Sequence, residues 1–106
     1  MLVLVKPPKE HFEADDAIEK PWLGAVTQIN GDTFDLQWYG GALTSVWSPS
    51  FEQKKRRTER AVPYKQHNVL FDAVLMYDFQ LTGGNRLPLK IAREIRSAME
   101  EVANSE

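Results

Sequence analysis

The chain has 106 residues, 42% hydrophobic, 26% charged and 10% aromatic, with a formal net charge of −2. That length fits one domain with one modest core, and it excludes a dinucleotide domain joined to a substrate domain or a closed eightfold strand-helix barrel of about 250 residues. The absence of cysteine excludes a disulfide framework, a thiolate zinc site and a cysteine nucleophile, and fits a reducing compartment.

No apolar run approaches the roughly 20 residues that span a bilayer, and Met1 to Val5 is too short for a signal-peptide core. A soluble intracellular protein, or a domain excised from a larger one, with no membrane partner is expected. Charge is unevenly spread: residues 1–51 carry −4, residues 52–60 carry +3 and the remainder −1. An acidic body thus bears one basic segment, with Lys54, Lys55, Arg56, Arg57 and Arg60. The sequence pI of about 5.7 argues against a dedicated nucleic-acid binder.

Met1 to Val5 is a short apolar run closed by Lys6-Pro7-Pro8 and predicts a first strand. Lys9 to Lys20, acidic and weakly patterned, predicts a solvated loop. Trp22 to Ile29, the turn Asn30-Gly31-Asp32 and Thr33 to Tyr39 predict a hairpin, with Asn-Gly supplying the positive φ of a type I′ turn. Phe34, Leu36 and Trp38 fall on one face of its second arm, Asp35, Gln37 and Tyr39 on the other. Gly40-Gly41 permits another reversal, and Thr44 to Ser48 predicts a third strand stopped by Pro49.

The basic segment 52–60 predicts an exposed loop. From Val69 to Leu81 a period of two predicts one bent strand or two short ones, with Val69, Phe71, Ala73, Leu75, Tyr77, Phe79 and Leu81 on the buried face. Thr82 to Asn85 is a turn. Pro88 suits the first turn of a helix, and Ile91, Ala92, Ile95, Ala98, Met99 and Val102 recur at three- and four-residue spacings. They predict an amphipathic helix over 88–103, laid on the barrel or on a partner. The expected fold is mainly β: a small, bent antiparallel SH3-like barrel of five or six strands over 1–81 with a C-terminal helix, forming one domain over 1–106.

Trp22-Leu-Gly-Ala-Val-Thr-Gln-Ile29, followed after the turn by Leu36-Gln-Trp-Tyr-Gly-Gly41, resembles the paired strands of Tudor-type domains and their chromo, MBT and PWWP relatives, and of bromo-adjacent-homology domains. The resemblance covers residues 21–49. It implies a non-enzymatic chromatin reader that binds methylated lysine or arginine on a histone or other protein tail, acting in the nucleus without a cofactor. Such a site holds a quaternary ammonium between aromatic faces set at right angles, because the cation is drawn to the ring quadrupoles. The candidates are Trp22, Trp38, Tyr39 and Trp47, with Asp35, Asp32 or Glu19 as acidic neighbours. Gln37 and Trp38 stand where the family often places an acidic residue before its Tyr-Gly pair, so an aspartate-assisted cage is not carried over.

A barrel this small must also fill its core, and tryptophans often do so. The phase of Trp38 favours the core and that of Tyr39 exposure, whereas Trp22 and Trp47 lie at strand ends, where a cage or partner groove would form. Nothing assembles a catalytic set. His11 lies among surface carboxylates, His67 has no evident partner, Ser45, Ser48 and Ser50 lack a glycine-flanked elbow, and neither Gly40-Gly41 nor Gly83-Gly84 has phosphate-loop spacing. Two other functions fit the pattern. One is an assembly domain that docks an unmodified partner on its aromatic surface or C-terminal helix. The other is a DNA- or RNA-binding barrel that uses Lys54 to Arg60.

Overall fold

The protein, seen in a computed structural model, is described over residues 1–52 and 62–105. It is mainly β. Among the described residues, six antiparallel strands, β1 (Leu2–Val5), β2 (Trp22–Asn30), β3 (Thr33–Gly40), β4 (Ser48–Pro49), β5 (Lys65–Leu70) and β6 (Val74–Phe79), precede one helix, α1 (Leu89–Asn104). The strand order is β4-β3-β2-β1-β6, and β5 also pairs with β3. A 3-10 turn over Phe71–Ala73 carries the chain from β5 to β6. This is the expected small barrel-like fold with a C-terminal helix, in which β1 to β4 pair consecutively while β5 returns to β3 and β6 to β1.

β1 explains the uninterrupted apolar run at the start of the chain. Strands buried on both faces lose the polar alternation of half-exposed ones. Val3 and Val5 enter one core with Phe34, Leu36 and Val69, inside the barrel. Leu4 enters a second core with Leu23, Trp47, Phe79, Ile95 and Met99, between the sheet and α1. The helix buries Ala92, Ile95 and Met99, three positions at the predicted spacing. A side chain such as Ile95 or Met99, 0% exposed, contributes about 1.5–3 kcal/mol by leaving water. The helix therefore packs on its own barrel.

The β2–β3 hairpin forms with Leu23 opposite Tyr39, Gly24 opposite Trp38 and Asn30 opposite Thr33. Its turn differs from the expected one. Gly31 has φ 75°, whereas neither Asn30 nor Asp32 is in the positive range. The central pair is Gly31-Asp32, and positive φ at the first central residue alone is the type II′ pattern, which glycine serves.

Three other expectations are corrected. The acidic stretch 9–20 is not merely a solvated loop: it contains a 3-10 turn over Lys9–Glu13, it buries Ala17, and the Glu19 carbonyl accepts from Leu43 N–H at 2.9 Å. The third strand shrinks to Ser48–Pro49. The residues before it are laced to the loop that precedes α1 instead. Val46 bridges Arg86, Trp47 N–H donates to Asn85 O at 2.7 Å and Arg86 Nη1 donates to Thr44 O at 2.7 Å. Finally, the alternation over 69–81 does divide between two strands, as one of the expected forms had it, but its odd face is not buried throughout. The 3-10 turn and a left-handed Asp78 (φ 64°) shift its phase, leaving Phe71 and Tyr77 exposed while Val69 and Phe79 stay buried.

Candidate functional site

Of the five residues expected to bind a ligand, Trp22 and Trp38 meet ring to ring, and Tyr39 lines the same depression while packing against the core under α1. Trp22 opens β2 directly after a buried Pro21, and Trp38 lies on β3 opposite Gly24. The two tryptophans are therefore diagonal neighbours across the hairpin, a separation that aromatic side chains bridge. Their rings meet edge to face, with centroids 5.4 Å apart and planes at 73°. Together with Tyr39, Pro21, Tyr64 and Gln66 they line a surface depression of about 250 Å³.

Tyr64 is held beside Trp38 by the backbone. Trp38 N–H donates to Tyr64 O at 2.9 Å, and Tyr64 N–H donates to Ser50 O at 2.9 Å. On the other side of Trp22 stands His11, whose ring meets the indole edge-on at 5.7 Å and 63°. His11 Nε2 lies 2.9 Å from Ala17 O. A carbonyl can only accept, so Nε2 carries the proton. His11 thereby joins the acidic stretch to the flank of Trp22 and serves the site by positioning.

Among the described residues, every one that lines the depression is uncharged. Aromatic faces at wide angles, with no carboxylate between them, suit a diffuse cation better than a hydrogen-bonding one. Among the described residues no three His, Asp or Glu side chains converge as metal ligands.

Trp47 is not part of this site. It is 1% exposed and packs in the core under α1, drawn there by the lacing of residues 44–47 to 82–86. Its Nε1 is buried and has no hydrogen-bond partner among the described residues. Asp35 also stands elsewhere, four residues along β3 from Tyr39 and near the hairpin tip. Its carboxylate accepts from Asn30 Nδ2 at 2.8 Å and Asn68 N–H at 3.1 Å, and it pairs with His67 Nδ1 at 3.1 Å. The Asn68 N–H first, then His67 and Asn30, hold the Asp35 carboxyl below the usual aspartate range. Asp32 is exposed in the turn, and Glu19 is engaged by Arg96 at 2.5 Å. The basic positions Lys54, Lys55, Arg56, Arg57 and Arg60 lie outside the described residues.

Sequence reasoning missed Pro21, Tyr64 and Gln66. Pro21 and Tyr64 each adjoin a strand start, but β5 buries only Val69 of its six residues. No alternation therefore announced the strand that brings Tyr64 and Gln66 to Trp38.

No protein-family profile matches the chain, and no solved structure matches it. A stretch of Nipped-B-like protein A from Danio rerio is similar, 30% identical over 83 residues. The match takes in 74% of this chain, which spans only 3% of the length of that protein.

Proposed function

We propose that this domain is a non-enzymatic recognition module that binds a methylated lysine or arginine of a protein tail, of the histone kind, in the depression between Trp22, Trp38, Tyr39 and Tyr64. The observation that carries it is the Trp22–Trp38 pair. Two indoles at 73° on the wall of an open depression offer a methylated cation two differently oriented π faces. The resemblance of residues 21–49 to Tudor-type hairpins favours the same ligand class and a nuclear setting.

A cation–π contact contributes about 0.5–2 kcal/mol, so losing one ring should weaken binding about 2- to 30-fold. Calorimetric titration with peptides bearing unmodified, mono-, di- and trimethylated lysine, or methylated arginine, tests this. Binding of a methylated peptide in preference to the unmodified one, weakened by Trp22→Ala and by Tyr64→Ala, is the expected result. Equal affinity for unmodified and methylated peptides would refute it.

A further inference from the structure

The turn between β2 and β3 carries reactive groups of its own. Of the four asparagines, Asn30, Asn68, Asn85 and Asn104, only Asn30 is followed by glycine. A backbone nitrogen that follows an asparagine is a latent nucleophile toward the side-chain carboxamide carbon one residue back. A side chain on the attacking residue obstructs that approach, and Gly31 has none. A Cβ built on Gly31 would meet nothing within 4 Å, so no neighbouring structure shields the nitrogen either.

The backbone leaves this nucleophile unoccupied. Asn30 pairs with Thr33 at the end of the ladder, and Gly31, at φ 75°, is the first central residue of the turn. The hydrogen bond of such a turn joins its outer residues and not the central ones. Among the described residues the Gly31 N–H donates to no carbonyl. Asn30 and Gly31 are both exposed, so water reaches them.

The electrophile, by contrast, is held. Asn30 Nδ2 donates to Asp35 Oδ1 at 2.8 Å, and the same carboxylate accepts from Asn68 N–H at 3.1 Å and pairs with His67 Nδ1 at 3.1 Å. The amide is thereby tied across the hairpin to β5. Its nitrogen is the group that must leave. The carboxamide cannot turn onto the Gly31 nitrogen without giving up a hydrogen bond to a charged acceptor, one of the stronger kinds.

We propose that Asn30-Gly31 is a site of spontaneous deamidation and that Asp35 sets its rate by holding the Asn30 amide. The Gly31 nitrogen forms a bond to Asn30 Cγ, the Cγ–Nδ2 bond breaks, and the Gly31 proton departs with the amide nitrogen as ammonia. Water then opens the cyclic imide at either carbonyl and leaves aspartate or isoaspartate, with nothing oxidised or reduced. Either product sets a second carboxylate where Asp35 had an amide donor, and isoaspartate also lengthens the backbone between β2 and β3. The site lies at the opposite end of β2 from Trp22 and acts whether or not the aromatic depression holds a ligand.

Incubating the whole chain at neutral pH and mapping its peptides over time by mass spectrometry tests both halves of the proposal. Conversion should appear at Asn30 and outrun that at Asn68, Asn85 and Asn104 in the same digest. Asp35→Ala should speed it about threefold or more, as expected for the loss of one modest hydrogen bond. Ile95→Val, which loosens the core under α1 without touching the hairpin, should not speed it. In urea the parent and Asp35→Ala should convert at one common rate, and Gly31→Ala should be slower than both, since no turn strain acts on an unfolded chain. The proposal is overturned if Asn30 converts no faster than the other three asparagines, or if folded Asp35→Ala is no faster than the parent. It is equally overturned if Ile95→Val speeds conversion as much as Asp35→Ala, if the difference between Asp35→Ala and the parent persists in urea, or if Gly31→Ala keeps the parental rate there.

Discussion

Gly41 lies so close to the face of Trp47 that a Cβ built on it would come within 2.6 Å of indole Cδ2 and 2.9 Å of Cγ and Cε3. The ring is locked in the core and cannot withdraw, so even alanine must displace packed structure. Gly41→Ala is expected to destabilise by about 1–3 kcal/mol, the usual range for overpacking, as measured by urea denaturation. A change below a few tenths of a kcal/mol would mean that Trp47 is free to move.

Trp47 makes a second expectation specific. Trp47→Ala should cost about 3–5 kcal/mol by opening a cavity. Trp47→Phe keeps much of the ring and removes the unpartnered Nε1–H, a buried donor of the kind that costs about 1–3 kcal/mol when unpaired. The phenylalanine variant should therefore lose less than half of what the alanine variant loses. Equal losses would contradict this reading of the Trp47 site.

Much of this architecture is legible in the residues because its signals are local. The β2–β3 hairpin announces itself by alternation on either side of a glycine turn, and α1 by Ile91, Ala92, Ile95 and Met99. Trp47 is illegible for the opposite reason. Its burial depends on hydrogen bonds from residues 44–47 to residues 85–86, some 40 positions away, and no periodicity encodes them. Tyr64 joined the candidate site only through the pairing of β5 with β3. Phe71 and Tyr77 defied their phase because a 3-10 turn and one left-handed aspartate, both invisible to a period of two, intervene.

Asp35 should make stability depend on acid. Its carboxyl is held below the ordinary aspartate value near 3.8 by the Asn68 N–H, His67 and Asn30. A depressed native pKa means the unfolded chain takes up the proton first, so the stabilisation is full above pH 4 or so and is lost as pH falls through the native value. Asp35→Asn should lower the thermal midpoint at pH 7 and show a smaller further loss on moving to pH 3. Parallel pH curves for the two proteins would refute this role.

The tie between Glu19 and Arg96 joins the acidic stretch to α1, yet both side chains are 44% exposed. Exposed pairs contribute about 0–1 kcal/mol. Arg96→Ala should shift the urea midpoint only slightly, and raising salt should shrink the difference further. A loss of several kcal/mol would mean that this contact, rather than Ile95 and Met99, holds the helix down.

The three tryptophans provide a test of the recognition site with its own internal control. Each has one indole Nε1–H resonance, assignable by single Trp→Phe variants, and the structure places two of them at the depression and one in the core. On titration with a trimethyllysine peptide, the Trp22 and Trp38 resonances should move with a common saturation curve while that of Trp47 stays in place. If no indole resonance moves with any methylated peptide, or if Trp47 moves as far as the other two, the depression is not the binding site.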